Sequence, residues 1–117
     1  MVARQQKQKR FLRQPLPVQL GTIAADLARV TSLARHEQIS AALDTMLEES
    51  LYFIEWTAAK AEPEIAAELV DIQLMIALWR KAWPEAQKHR AQRTLLSVQA
   101  KKWSDQILGY SGLLDEK

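Results

Sequence analysis

Along the chain, apolar residues return every three or four positions in four separate stretches. That spacing gathers them on one side of a 3.6-residue helix. Leu20, Ile23, Leu27, Val30 and Ala34 form the first such stripe, and predict a helix over about 18–35 with Asp26, Arg29 and Arg35 off the stripe. Gly21 falls inside it, tolerated at a small cost or marking close packing. A second helix is predicted over about 37–60. Ile39, Leu43, Met46, Leu47, Ser50, Phe53, Ile54 and Thr57 share its inner face, and Asp44, Glu48 and Glu55 line the opposite side. Glu49, Tyr52 and Trp56 occupy the flank between the two.

The third helix starts at Pro63, a residue suited to a first turn, with Glu64 complementing the positive helix end. Ile65, Leu69, Ile72, Ile76, Trp79 and Trp83 make one apolar face. Val70, Leu74, Ala77 and Leu78 make a second, nearly opposite. A helix apolar on two sides is either central in its bundle or at a subunit interface. Pro84 is expected to end it. The fourth helix, over about 84–109, opens with polar turns and then carries Leu96, Gln99, Trp103, Ile107 and Tyr110 as its stripe. Gly109 and Gly112 read as stop signals, and Leu113 and Leu114 are expected to fold back over the bundle end. Short connections favour antiparallel neighbours. The expected fold is therefore all-α, a four-helix up-down antiparallel bundle forming a single domain over 15–117. Residues 1–14 hold only Phe11 and Leu12 as a large apolar pair, and Pro15 and Pro17 follow. They are expected to be a flexible basic arm that docks near residue 11 or soon after and leads into an extended entry.

Composition narrows the class. Three glycines and four prolines are too few for a chain of short strands and tight turns. With no cysteine, neither a disulfide framework nor a thiolate zinc site can form. No apolar run approaches the length of a membrane span, and no apolar stretch follows the basic N-terminus as a secretory signal requires. Cytoplasm is the default expectation. The formal net charge of +2 conceals a division. Arg4, Lys7, Lys9, Arg10 and Arg13 stand without an acid over residues 1–17, whereas Glu37, Asp44, Glu48, Glu49, Glu55 and Glu62 face only Lys60 over residues 37–62. Nucleic-acid contact through residues 4–13 and the start of the fourth helix is one reading of the basic segments. A solvated arm whose field the acidic helix cancels is the plainer one.

No complete catalytic constellation is present. The glycines form no phosphate loop, and His36 and His89 stand on different elements without a metal-site partner. Both histidines are expected at the surface. Trp79 and Trp83, one turn apart, are expected to stack along the core, with Trp103 on its own stripe. Trp56 with Tyr52, outside the main stripe, is the arrangement of an interface. Glu68 and Asp71 lie three apart on one face of the third helix, and Glu48 and Glu49 lie on the helix before it. Carboxylates on two facing helices are suitable hard-oxygen ligands for Mg²⁺.

The run Leu47-Glu48-Glu49 followed by Glu68-Leu69-Val70-Asp71-Ile72 resembles part of the signature of the all-helical MazG-type nucleoside-triphosphate pyrophosphatases. That family carries E-x-x-E on one helix and E-x-x-D on the next. The second half matches at Glu68 and Asp71. The first departs, with Tyr52 three residues after Glu49 and Leu51 three after Glu48. The resemblance implies a degenerate Mg²⁺ site at Glu49, Glu68 and Asp71. The segments Pro17-Val18-Gln19-Leu20-Gly21-Thr22-Ile23-Ala24, Leu47-Glu48-Glu49-Ser50, Phe53-Ile54-Glu55-Trp56, Trp103-Ser104-Asp105 and Ser111-Gly112-Leu113-Leu114 together resemble a set of small cyanobacterial all-helical proteins, which implies an origin and an intracellular place but no activity. The sequence thus favours a protein-interaction or assembly module without catalytic residues or cofactor. A homodimer or protein partner is expected at Tyr52, Trp56, Leu74 and Leu78. The pyrophosphatase and the nucleic-acid binder are the alternatives.

Overall fold

The computed structural model describes residues 2–36 and 41–112. Five helices follow one another: α1 (Val2–Arg13), α2 (Leu16–Leu33), α3 (Ala41–Ala58), α4 (Pro63–Ala86) and α5 (Arg90–Ser111). No strand is present among the described residues. The all-helical class follows from the stripes, but there is one helix more than the stripes announce.

Side-chain bonds between helices show how the elements run. Ser104 Oγ donates to the Ala24 carbonyl at 2.7 Å and Ser97 Oγ to the Thr31 carbonyl at 2.8 Å. As the residue number rises on α5 it falls on α2, so these two helices are antiparallel. The same holds for α3 and α4, where Arg80 reaches Asp44 and Gln73 Nε2 reaches the Leu51 carbonyl. It holds again for α4 and α5, where Trp79 Nε1 donates to Gln99 at 2.7 Å and Gln106 to Glu68 at 3.1 Å. α2 packs on both α3 and α5, and α4 on both α3 and α5. Leu20, Ile23 and Leu27 of α2 meet Leu43, Leu47 and Ile54 of α3, Leu69 and Ile76 of α4, and Leu96 and Ile107 of α5 in one core. Each such side chain contributes roughly 1.5–3 kcal/mol by leaving water. The α2/α5 contact is lined by small residues, Ser97, Ala100 and Ser104 on α5 with Ala24 on α2. Their size lets the backbones approach until serine hydroxyls reach carbonyls of the facing helix.

The segment expected to be a flexible arm is instead α1, and it docks on α3. Gln, Lys, Arg and Ala are good helix formers, so the segment needs little apolar surface to stay helical once one end is anchored. Phe11 supplies the anchor. It is 4% exposed, and its ring lies parallel to that of Phe53 with centroids 4.3 Å apart. The extended entry shrinks to Pro15 alone, with φ −60° and ψ 154°, and Pro17 falls in the first turn of α2 where its missing N–H costs nothing. Buried Gln19 ties this elbow, donating to the Gln14 carbonyl at 2.9 Å and accepting from Thr57 Oγ1 at 3.2 Å.

Two expected stops also move. α4 runs through Pro84 to Ala86, since a proline in the last turn removes a single intrahelical donor. α5 accordingly begins at Arg90 after the turn at Gln87–His89. α5 continues through Gly109, and only Gly112 caps it, with φ +75° in the left-handed region. The expected second-helix start at 37–40, including Ile39, and the fold-back of Leu113 and Leu114 lie outside the described residues.

Candidate functional site

α4 carries its two apolar faces as the sequence pattern requires. Leu69, Ile72, Ile76, Trp79 and Trp83 are buried. On the other side Val70, Leu74 and Leu78 are 49%, 61% and 54% exposed. They follow one another at four-residue steps and so make a single row. Trp79 and Trp83 pack edge to face, with centroids 6.3 Å apart, and belong to the core. Beside the exposed row runs a groove of about 510 Å³ between α3 and α4. Leu51, Tyr52, Val70, Leu74 and Ala77 form its apolar walls, and Glu48, Glu55, Gln73 and Arg80 its polar ones. Arg80 closes one end, giving Nε to Asp44 Oδ1 at 3.0 Å and Nη2 to Oδ2 at 3.3 Å, with Glu48 at 3.4 Å. This fork links α3 to α4 at that end of the groove.

Tyr52 and Trp56 are placed differently from Leu74 and Leu78. Their rings stack at 6.0 Å, and α1 lies over them. Phe11 tilts against Trp56 at 5.9 Å, and the Arg4 guanidinium sits 4.1 Å above the Tyr52 ring. Trp56 is partly buried, with α1 packed against it through Phe11. Tyr52 still lines the groove on its α4 side. The same docking turns Arg4 and Lys7 toward α3, although both stay exposed, as do Lys9, Arg10 and Arg13.

The acids proposed as Mg²⁺ ligands are not brought together. Glu49 accepts a hydrogen bond from Lys7 on α1 and pairs with Asp26 on α2. Glu68 points to α5, accepting from Gln106 Nε2 and from the Tyr110 hydroxyl. Burial, with Glu68 beside it, raises the Tyr110 pKa. Asp71 is exposed. No group of three or more His, Cys, Asp or Glu placed to hold a metal ion occurs among the described residues. His36 is exposed, and His89, also exposed, precedes α5 and lies 3.5 Å from Glu85.

One site was missed in the sequence. Asp26, placed off the stripe, is 3% exposed, its Oδ2 is buried without a hydrogen-bond partner, and the Glu49 carboxyl neighbours it. Burial first, and then Glu49, push its pKa up to about 7, against the opposing pull of Arg29 and Lys7. Burial also acts to raise Glu49, but hydrogen bonds from Asp26 and Lys7 outweigh it and hold Glu49 below its ordinary value. Below about pH 7 the proton of the pair is held on Asp26, and Glu49 carries the charge that receives Lys7. The signal was in the sequence: Gln19 and Asp26 fall in one helical row with Ile23 and Val30 of the main stripe, along its edge. α2 buries this row too because it packs on two helices.

No protein-family model, curated protein or solved structure matches this chain. Among the described residues no helix is long and apolar enough to cross a membrane.

Proposed function

We propose that this chain is a protein-interaction or assembly module that binds through α4 and the groove beside it, and not a catalyst. The observation that carries the reading is the exposed row Val70, Leu74 and Leu78 directly beside an apolar groove. Scattered exposed apolar residues need no explanation, whereas a contiguous row along one helix, walled by an aromatic ring, is what interfaces use. The frame that supports it is read as an up-down arrangement of α2 to α5 with α1 as a helical strap, working in the cytoplasm. The absence of cysteine suits that compartment. The Arg80 fork ties the two walls of the groove together, which lowers the ordering a partner must impose.

A photo-crosslinking residue installed at Leu74 tests the reading, with one at Lys102, exposed on α5, as control. In cells producing the full chain, position 74 is expected to give discrete adducts, whether with the chain itself or with another protein, and position 102 none. Equal labelling at both positions, or none at 74, removes the proposal.

A further inference from the structure

Resting on the interaction reading above, we infer that the partner of the α4 face is a second copy of this chain, laid antiparallel so that the two α4 helices meet about a two-fold axis. The argument is charge complementarity. The exposed row of α4 carries an acid before its apolar centre and a base after it, Asp71 and Lys81. Neither makes an ion pair among the described residues, and both are exposed. The other charged residues of α4 from Glu68 onward are already engaged, Glu68 with α5, Arg80 with α3, and Glu85, one turn after Lys81, with Lys88 and His89.

An antiparallel copy reverses the sequence of charges and so matches it. A two-fold axis at the level of residue 76 sets Asp71 beside the partner's Lys81 and Leu74 beside the partner's Leu78. Each pairing then occurs twice, as a self-complementary interface requires. A parallel copy would place Asp71 on Asp71 and Lys81 on Lys81, which like-charge repulsion disfavours. Ala67 and Ala77, both exposed next to the row, leave room for the two helices to approach. The two helix dipoles also oppose one another in this arrangement.

Sedimentation equilibrium of the full chain, with circular dichroism to check folding, tests the geometry. The expected result is a concentration-dependent species at twice the 13.4 kDa chain mass. Asp71→Lys and Lys81→Asp are each expected to weaken association by about tenfold, and the double variant Asp71→Lys/Lys81→Asp to restore it to within about threefold. Leu74→Gln is expected to abolish it. A dimer indifferent to all four variants uses another face and overturns the inference, as does a double variant as weak as the singles. If the chain stays monomeric while Leu74 still crosslinks to another protein, the second copy is wrong and the interaction reading stands. If it stays monomeric and Leu74 gives no adduct, both fall.

Discussion

An aspartate that loses water and gains a second carboxylate as neighbour keeps its proton to higher pH, and Asp26 meets both conditions. Its folded pKa of about 7 lies above the ordinary 3.8, so the folded state holds a proton that the unfolded chain releases earlier. The stability tied to Asp26 is complete below its ordinary pKa and is lost as pH rises through about 7. Glu49 has the opposite sign: its contribution is present above its ordinary 4.5 and is lost as pH falls through its lowered value. The neutral-to-alkaline limb is the one that Asp26 gives, since its folded pKa lies there. Thermal melts are expected to shift downward from about pH 5 to about pH 8.5. Asp26→Asn keeps a donor toward Glu49 without a charge to lose. It is expected to flatten that limb and to add about 1–3 kcal/mol at the alkaline end. A variant with the wild-type pH slope would show that the proton resides elsewhere.

At the scale of elements, what the sequence disclosed follows the number of apolar positions each helix offers. α2, α4 and α5 carry five or more inward residues at helical spacing and were legible, with ends misplaced only where Pro84 and Gly109 were given more weight than their positions warrant. A proline in a last turn and a glycine facing open space break little. α1 was illegible because its helical state depends on contacts beyond the segment, Phe11 on Phe53 above all, and nothing in residues 2–13 states that a ring is waiting. The carboxyl pair was hidden for the related reason that burial of the Asp26 row depends on α2 having two neighbours. The leading pair on the exposed row, Leu74 and Leu78, was visible because α4 has apolar residues on both sides. The dependence of α1 on its anchor gives a prediction. Phe11→Ala removes about 3 kcal/mol of buried ring from a helix that otherwise touches α3 through Arg4 and Lys7. Hydrogen exchange is expected to show residues 2–13 losing protection while α2 to α5 keep theirs. Retained protection in α1 would mean that its polar contacts suffice. The α2/α5 seam gives a second. Ser104→Leu forces a large side chain into a contact built on small ones and is expected to cost about 1–3 kcal/mol in urea melts, whereas Asp105→Leu, one residue on and exposed, is expected to be near neutral.

At the scale of the whole molecule, α4 is bound by its inner face to the core and presents its outer face to solvent. If the outer face belongs to an interface, the two faces must answer differently to the same truncation. Ile76→Ala empties a fully buried position and is expected to cost about 2–5 kcal/mol at any protein concentration. Leu78→Ala, two residues on, leaves the monomer's packing untouched and is expected to change dilute-solution stability by no more than about 0.5 kcal/mol. The difference appears on concentrating the protein. Association that occurs only in the folded state raises the melting temperature with concentration by mass action. The wild type and Ile76→Ala are therefore expected to melt higher as concentration increases, while Leu78→Ala melts at one temperature throughout. Scanning calorimetry over a hundredfold range of concentration separates these cases. A Leu78→Ala variant as damaged as Ile76→Ala in dilute solution would make the outer row part of the monomer's own packing, and α4 would then have no face to offer a partner.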